Sequence, residues 1–315
     1  MQITVAFEYL DKFRDALARL NVEKGEPILL AVSGGPDSLA MLLLAASLGR
    51  NPITAATVDH RLRPEAADEA AYVAEICKKL TIPHMTLAPG HKISGNIQSS
   101  AREARYALFD AASDEAGCSF IATAHHGDDQ LETILMRLAR GSGIDGLAAI
   151  RHQNGRVIRP LLGFSKSELE KICADAGVEP IRDPSNDNIE FDRVVMRQWL
   201  AQSQHPFDLG RIDRTAHALS DVAEALAWMT DSIAEQRVSK NREGYQCDAR
   251  QLPREVKRRL LLSCIAKLDP NLQPRGGAID HLLIELNAGR SATIGNILCK
   301  GGETWVFSEA PPRRT

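Results

Sequence analysis

Short apolar segments alternate with helix-length segments through the first half of the chain, and this alternation restricts the fold more than any other feature. The apolar segments are residues 28–33, 53–59, 84–88 and 119–124. The helix-length segments between and after them are residues 38–49, 64–80, 97–116 and 128–140. Strands that alternate with helices of this length form βαβ units with parallel strands. We therefore predict an α/β fold with a doubly wound, mostly parallel sheet.

Sequence patterns before and after these alternating segments add further elements to the first domain and indicate where it ends. Apolar residues spaced three or four apart predict an amphipathic helix over 5–20, and a further strand and helix are expected at 156–162 and 166–176. Ser165 and Glu168 predict a capping box at the start of that helix, and Gly177 is expected to end it. The stretch 201–210, AQSQHPFDLG, is typical of a linker. We predict one domain over 1–203 and a smaller, mainly helical C-terminal domain over 211–315. Its expected elements are helices at 211–236, 254–268 and 278–288 and strands at 292–299 and 303–307.

Composition disfavours several classes of protein. The chain contains no apolar run of the ~18–20 residues that cross a bilayer, and the N-terminal residues mix acids and bases where a signal peptide needs an apolar stretch. We therefore expect a cytoplasmic protein with no membrane partner. The six cysteines form no CxxC pair, which argues against a zinc ribbon or an iron–sulfur cluster. The oligomeric state is left open by the sequence, with a homodimer as one alternative.

A glycine-containing loop, Ser33-Gly34-Gly35-Pro36-Asp37-Ser38, follows the first apolar strand. Its backbone N–H groups and the N-terminus of the next helix favour a bound polyphosphate, and the glycines allow close approach. An acid such as Asp37 among anions indicates a Mg²⁺ or amine partner. The loop is neither a Walker A motif nor GxGxxG, which disfavours γ-phosphate transfer and dinucleotide binding. A strand–turn–helix connection without a ligand is the alternative.

Three acids open the predicted helix at 128–140. Asp128, Asp129 and Glu132 lie on one flank, beside an apolar stripe that is expected to pack on the sheet. Clustered carboxylates repel one another, and Mg²⁺ or an ammonium group relieves that repulsion. Simple stabilisation by the helix dipole is the alternative.

The glycine loop resembles the SGGxDS signature of the PP-loop ATP pyrophosphatase superfamily. With six further ordered motifs, residues 27–200 are similar to the tRNA(Ile)-lysidine synthase family. These motifs are Val58–Pro64, Asn96 with Ala101–Tyr106, Thr123–Thr133, Arg140–Gly143, Arg159–Leu162 and Asp183–Asp187. The chain departs from the family at His60-Arg61-Leu62-Arg63, where His-Gly-Leu-Arg is usual. It departs again at Arg193-Val194-Val195-Met196-Arg197, where many relatives have Arg-Asn-x-Ile-Arg.

The resemblance implies an ATP-dependent tRNA(Ile)-lysidine synthetase, a carbon–nitrogen ligase. Such an enzyme joins free L-lysine to C2 of the wobble cytidine of CAU-anticodon tRNA(Ile) through an adenylated cytidine. Lysidine forms with release of AMP and pyrophosphate, and codon recognition changes from AUG to AUA. Two rivals are a PP-loop tRNA 2-thiolation enzyme, which usually needs paired cysteines, and a non-catalytic nucleotide-binding module.

The resemblance also implies roles for individual residues. Asp37, Asp129 and Glu132 are the expected catalytic acids around lysine, and Asp37 and Asp128 are candidate Mg²⁺ ligands. The sequence does not divide lysine binding from Mg²⁺ binding among these acids. The residues expected to bind ATP are Ser33, Gly34, Gly35, Pro36, Asp37, Ser38, His60, Arg105 and His125.

Two pairs of arginines have alternative explanations. Arg102 and Arg105 are suited to ATP phosphates or a substrate carboxylate, with a solvated helix face as the alternative. Arg193 and Arg197 are expected on a solvated helix face or at the tRNA backbone. The C-terminal domain is expected to help grip the tRNA.

Overall fold

The computed structural model describes residues 4–59, 66–89, 97–181, 192–274 and 276–311. The chain divides into two compact units, Met1–Ala218 and Leu219–Thr315. The division falls within one long helix, Leu209–Arg237 (α9). Among the described residues, no helix is both long enough and apolar enough to cross a membrane.

The first unit is built on a six-stranded sheet, and the predicted mostly parallel sheet is confirmed. Its strand order is β3-β2-β1-β4-β6-β5, in which only β5 runs antiparallel to its neighbour. The strands are β1 (Ile28–Ala31), β2 (Ile53–Val58), β3 (His84–Leu87), β4 (Phe120–Ala122), β5 (Gln153–Asn154) and β6 (Val157–Ile158). The chain builds outward from β1 to β3 on one side and then returns to add β4 on the other. A switch of this kind opens a crevice at the carboxyl ends of β1 and β4.

Eight helices precede α9 among the described residues of the first unit. They are α1 (Phe7–Arg19), α2 (Pro36–Leu48), α3 (Ala66–Lys79), α4 (Ile97–Glu115), α5 (Gly127–Ala139), α6 (Ile144–Leu147), α7 (Lys166–Asp175) and α8 (Asp192–Gln202). All of the long helices predicted for this domain are present, whereas α6 and the antiparallel β5 were not expected.

Helices cover both faces of this sheet. α1, α2, α3 and α7 contribute to one large core, in which α2 is buried along most of its length. On the other face, Phe109 and Ala112 of α4 pack with Leu29 and Ile121 of the sheet. Continuous burial of α2 agrees with its Leu-rich sequence, because a helix that is apolar all round lies inside a core.

Predicted capping holds α7 in place. The Glu168 backbone N–H donates to Ser165 Oγ at 3.2 Å, and the Ser165 N–H donates to Glu168 Oε2 at 2.6 Å. This confirms the capping box expected from the sequence. At the other end, Gly177 has φ +65°, the left-handed conformation that commonly ends a helix.

The second unit combines helices with an antiparallel sheet. Its helices α10 (Arg254–Leu268) and α11 (Gly276–Asn287) confirm the prediction, and they share a core with Phe307 and Trp305. The sheet order is β7-β8-β11-β10-β9. These strands are β7 (Val238–Lys240), β8 (Gly244–Cys247), β9 (Ser291–Ile294), β10 (Ile297–Lys300) and β11 (Trp305–Glu309). The hairpin β7–β8 was missed because its strands are short and mostly polar.

Candidate active site

The glycine loop and the acid-bearing helix α5 lie side by side because β1 and β4 are adjacent strands. Leu30 of β1 is paired with Ala122 of β4, and both chains run in the same direction. The loop after β1 and the loop after β4 therefore leave the same edge of the sheet. Residues about 90 positions apart meet there, at the crevice where ligands bind in doubly wound sheets.

The glycine loop is fixed by its own two serines. The Ser33 N–H donates to Ser38 Oγ at 3.1 Å, and Ser38 Oγ donates to Gly35 O at 3.1 Å. Gly35 is the N-cap of α2 and Pro36 occupies the first turn, a favoured position for proline. The loop thus ends at the N-terminus of a buried helix, whose unpaired N–H groups favour an anion.

Gly34 is required by this loop for two separate reasons. Its φ of +88° is one that residues with a side chain rarely adopt. A Cβ at this position would also lie 2.6 Å from Cδ1 of Ile181, whose backbone N–H donates to Gly34 O at 2.9 Å. The loop therefore packs closely against the segment that follows α7.

A buried histidine lies at the centre of three acids. His126 Nε2 is 3.7 Å from Asp37 Oδ2 and 3.6 Å from Asp129 Oδ2, and Nδ1 is 3.5 Å from Asp128 Oδ2. The His126 side chain is only 4% exposed. Asp128 Oδ2 also accepts the backbone N–H of Lys166 at 2.7 Å. The arrangement joins the glycine loop to the N-terminus of α5 through one imidazole ring.

Charge and burial shift the pKa values of this cluster. Burial alone lowers the pKa of His126, but Asp128, Asp129 and Asp37 outweigh it, so the pKa of His126 is raised. Burial raises the pKa of Asp37, and Asp129 raises it further while His126 opposes them. For Asp128, burial raises the pKa, but the nearby His126 imidazole and the hydrogen bond from the Lys166 N–H outweigh it and the pKa is lowered.

One oxygen of Asp37 is left over for a ligand. Asp37 Oδ1 is buried and accepts no hydrogen bond from any residue that the structure describes. A buried carboxylate oxygen without a donor is costly, and a cation or an amine removes that cost. Among the acids of the cluster, Asp37 is therefore the best suited to bind a cation or an amine.

Two arginines of α8, Arg193 and Arg197, form hydrogen bonds with Asp129 and Glu132 of α5. Arg193 donates from Nε to Glu132 Oε2 at 2.9 Å and from Nη2 to Asp129 Oδ1 at 3.0 Å. Arg197 donates from Nε to Glu132 Oε1 at 2.7 Å and from Nη2 to Glu132 Oε2 at 3.1 Å. The Glu132 side chain is 2% exposed, whereas those of Arg193 and Arg197 are 42% and 35% exposed.

These contacts differ from the sequence prediction for the arginines. Arg193 and Arg197 were expected at a solvated face or at the tRNA backbone, but in this structure they neutralise Asp129 and Glu132. The repulsion among the acids is thus relieved in part by the protein itself. Spacing on a single helix shows which side chains share a face but not which distant helix faces them, so the sequence offered no signal for this pairing.

The structure also describes two of the other residues predicted to bind ATP, His125 and Arg105. His125 Nδ1 is 3.1 Å from Thr123 Oγ1, and Arg105 lies on an exposed part of α4. His60, Asn96 and the side chain of Arg102 lie outside the described residues. Among the described residues, no group of three His, Cys, Asp or Glu side chains is arranged to hold a metal ion.

Two residues of the site were missed by sequence reasoning, and one received too little weight. His126, not singled out over its neighbour His125, touches three acids. Lys166 contributes a backbone N–H, which no side-chain pattern reveals. Gln130 is fully buried and its amide bonds both Ile150 N–H, at 2.8 Å, and Ile150 O, at 3.0 Å. The sequence signal that could have indicated a role for Gln130 is its position between Asp129 and Glu132 on α5.

Comparison with known proteins agrees with this geometry. Residues 8–204 match the family ATP_bind_3, described as a PP-loop domain. The fold and the glycine loop thus define a PP-loop protein.

More specific relatives share almost the whole chain. The tRNA(Ile)-lysidine synthase of Zymomonas mobilis subsp. mobilis is 42% identical over 294 residues, covering 90% of this chain and 89% of that protein. The tRNA(Ile)-lysidine synthase of Novosphingobium aromaticivorans is 37% identical over 299 residues, covering 91% of this chain and 90% of that protein. The chain belongs to the tRNA(Ile)-lysidine synthase family.

A solved structure is similar in fold alone. The U34-tRNA thiolase NcsA from Methanococcus maripaludis, with its [4Fe-4S] cluster, has a TM-score of 0.58 at 20% sequence identity. The match covers 67% of this chain and 77% of that chain. It supports the PP-loop fold and no particular reaction.

Proposed function

We propose that this protein ligates L-lysine to C2 of the wobble cytidine in CAU-anticodon tRNA(Ile), with ATP as the activating substrate. The main support for the proposal is that the glycine loop lies next to the acids at the start of α5, in a chain that belongs to this family. The product is lysidine, which pairs with A in place of G and changes the codon read from AUG to AUA. AMP and pyrophosphate are released, and the reaction takes place in the cytoplasm.

The first step is adenylation of the cytidine. The C2 oxygen attacks the α-phosphorus of ATP, and pyrophosphate leaves with the electron pair of the broken bond. The backbone N–H groups of residues 33–38 and the N-terminus of α2 are suited to the leaving phosphates. The missing Walker lysine agrees with cleavage between the α- and β-phosphates. His125 and Arg105 are further candidates for ATP contact.

The second step transfers lysine. The ε-amine attacks C2, the bond to the adenylate oxygen breaks, and AMP leaves. An ε-ammonium must first lose a proton to become a nucleophile, and a carboxylate with a raised pKa is a better acceptor than an ordinary one. Asp37 has such a pKa and an oxygen without a described donor. Asp37, next to Asp129, is thus a candidate ligand of the ammonium, and binding of Mg²⁺ by the same oxygen is its alternative role.

Magnesium fits the same cluster by its chemistry. Mg²⁺ prefers carboxylate and phosphate oxygens, and Asp37 Oδ1 is a buried oxygen without a described partner. Asp37 and Asp128 are the residues that would hold it, together with ATP oxygens. When bound, the ion neutralises charge on the phosphates.

The alternative of tRNA 2-thiolation is disfavoured by the cysteines. All six lie within the described residues, all are free and all are buried. Those with raised pKa values include Cys173, at about 12, and Cys77, at about 11, because burial disfavours the thiolate. Sulfur transfer requires an accessible, reactive thiol or a cluster, and neither is formed by these side chains.

The deciding experiment incubates the purified protein with ATP, Mg²⁺, labelled lysine and a tRNA(Ile) transcript bearing CAU. Label is expected in the RNA, with AMP and pyrophosphate formed in equal amounts. A transcript whose wobble cytidine is replaced by uridine is the matched control and should accept none. Absence of label in the CAU transcript, with a second lysidine synthetase active on it, refutes the proposal.

A further inference from the structure

The segment that connects α8 to α9 is fixed at both ends against the first turns of α5. At one end, Arg197 donates two hydrogen bonds to Glu132, at 2.7 and 3.1 Å. At the other end, Leu209 begins α9, and a Cβ on Gly127, the first residue of α5, would lie 3.3 Å from Leu209 Cδ1. Residues 198–208, the aromatic segment, therefore connect two points that both lie beside the candidate active site.

Three aromatic rings belong to this segment. Trp199 is 51% exposed and lies about 200° around the axis of α8 from Arg197, so it is directed to solvent and not to α5. Val195, one turn earlier on the same flank, is 54% exposed. His205 and Phe207 are half-buried, and their ring centroids are 5.5 Å apart at an interplanar angle of 32°. The segment thus presents an exposed apolar surface next to the site.

The charges around the aromatic segment favour a polyanion. Residues 193–214 contain four arginines and two aspartates, in a chain whose net charge is −3. Both aspartates have partners inside the protein, Asp208 at the N-terminus of α9 and Asp213 at His152. The two arginines in the first turns of α9, of which Arg211 is one, are exposed. Arginines and aromatic rings that alternate along one segment are typical of surfaces that bind unpaired nucleic acid.

An anticodon loop matches both the chemistry and the position of this segment. The proposed reaction requires the wobble cytidine to leave its stack and enter the site beside α5, so the neighbouring bases lose a stacking partner. An aromatic side chain next to the site replaces that partner. An apolar protein partner would account for Trp199 and Val195 but not for the arginines around them.

We propose that the aromatic segment binds unpaired nucleotides of the anticodon loop and that Trp199 stacks on a base adjacent to the wobble cytidine. Phe207 provides a second ring of the same surface, and Arg211 contacts a phosphate of the same loop. The inference rests on the proposed function. It assigns part of tRNA recognition to the first unit, apart from any contribution of the second.

The test measures the dissociation constant Kd of the full chain for the CAU transcript without ATP or lysine, and then the KM values for tRNA, ATP and lysine. Trp199→Leu keeps an apolar side chain without a ring, and Kd should rise about five- to a hundredfold, the loss of one stacked base. KM for tRNA should rise by a similar factor, while KM for ATP and KM for lysine keep their wild-type values. Trp199→Phe keeps a ring and should retain most of the affinity. Phe7→Ala is the matched control, since Phe7 is an 84% exposed aromatic residue on α1, and its Kd should equal that of the wild type.

A double-substitution cycle identifies the base. Transcripts with an abasic residue directly 5′ or directly 3′ of the wobble cytidine are bound to the wild type and to Trp199→Leu. Removal of the stacked base should weaken binding to the wild type and have little further effect in the variant. Stacking involves no phosphate, so the slope of log Kd against log salt concentration should not change in Trp199→Leu. Arg211→Gln should reduce the magnitude of that slope by about one.

Several results overturn the inference. An unchanged Kd in Trp199→Leu assigns the surface to a protein partner, and equal Kd values for Trp199→Leu and Trp199→Phe indicate apolar packing instead of stacking. Additive effects with both abasic transcripts place Trp199 away from the wobble position. Each of these results leaves the proposed function standing if the wild type transfers lysine to the transcript. Absence of that transfer overturns the proposed function alone, because the Kd measurements still decide whether RNA binds the aromatic segment.

Discussion

At the scale of single residues, the site is a balance of buried and half-buried charges on three helices, α2, α5 and α8. His126 lies among Asp37, Asp128 and Asp129, and Glu132 lies between two arginines. Removing one member of such a set leaves its partner charged and desolvated, which costs more than the pair contributed. Substitutions here should therefore affect both folding and chemistry, and the measurements must separate the two.

Asp37→Asn keeps the size of the side chain and removes its charge. We expect pyrophosphate release to fall by at least about a hundredfold, as is common when a group that stabilises the transition state is removed. Pyrophosphate is measured in the presence of tRNA, with and without lysine. An unchanged rate would remove Asp37 from the adenylation step. Normal pyrophosphate release with no lysine transfer would restrict Asp37 to the second step.

His126→Gln should change how stability depends on pH. The pKa of His126 is raised in the folded protein, so its contribution is fully present below the ordinary histidine pKa of about 6.5. That contribution is lost as pH rises through the folded-state pKa. The difference in unfolding free energy between wild type and variant should therefore be larger at pH 5.5 than at pH 9. Urea titrations at both values measure it, and a larger difference at pH 9 would contradict the protonated histidine.

At the scale of elements, α5 is the part of the first unit with most of the site's connections. Asp129 and Glu132, on one flank of α5, accept hydrogen bonds from Arg193 of α8. The first residue of α5, Gly127, directly follows the buried His126. The Gln130 side chain forms hydrogen bonds with the backbone of Ile150. Gly127 lies so close to the segment before α7 that a Cβ would be 3.0 Å from Phe164 O. The helix is thus fixed from several sides, which keeps its carboxylates in position.

Gln130→Leu should cost about 2–4 kcal/mol of unfolding free energy. The substitution leaves the Ile150 N–H and C=O buried without their partners, and each such group costs about 1–3 kcal/mol. Chemical denaturation measures the change. Gln153→Leu is the matched control, because the Gln153 amide bonds Gly155 O at an exposed position, and its effect should stay within about 0.5 kcal/mol. Equal effects of the two substitutions would show that the Ile150 contacts contribute little.

The sequence predicted elements well where local patterns determine them. The glycine loop marks the start of α2, the three acids mark the start of α5, and the capping residues mark the start of α7. The positions of these helices were predicted to within a few residues. The contacts of Arg193 with Glu132 could not be found this way, because they depend on how α8 approaches α5. The hairpin β7–β8 was missed for a related reason: short polar strands are stabilised by the rest of the sheet and not by their own pattern.

At the scale of the whole molecule, each unit has a core of its own. The first is centred on α2 and the parallel sheet, and the second on α10, α11 and the antiparallel sheet. The sequence placed a linker at 201–210, and the assignment of residues 211–315 to tRNA binding stays a proposal. The site residues that the structure brings together all belong to the first unit.

A chain that ends after Ala218 should retain ATP binding and lose affinity for tRNA. It keeps every described site residue, and also the His152–Asp213 contact of 2.9 Å at the start of α9. We expect KM for tRNA to rise about tenfold or more, since phosphate contacts dominate affinity for nucleic acids, while KM for ATP changes little. Equal increases in both constants, with a lower melting temperature, would indicate a folding defect instead.

The pairing of β1 with β4 also has a consequence for the protein while it is being made. The glycine loop leaves the ribosome first, but its acidic partners follow about 90 residues later, and domains fold as their segments become available. A nascent chain that has not yet added β4 has the phosphate loop without the acids that complete it. Chains that have not yet added β4 and α5 should therefore neither consume ATP nor modify tRNA.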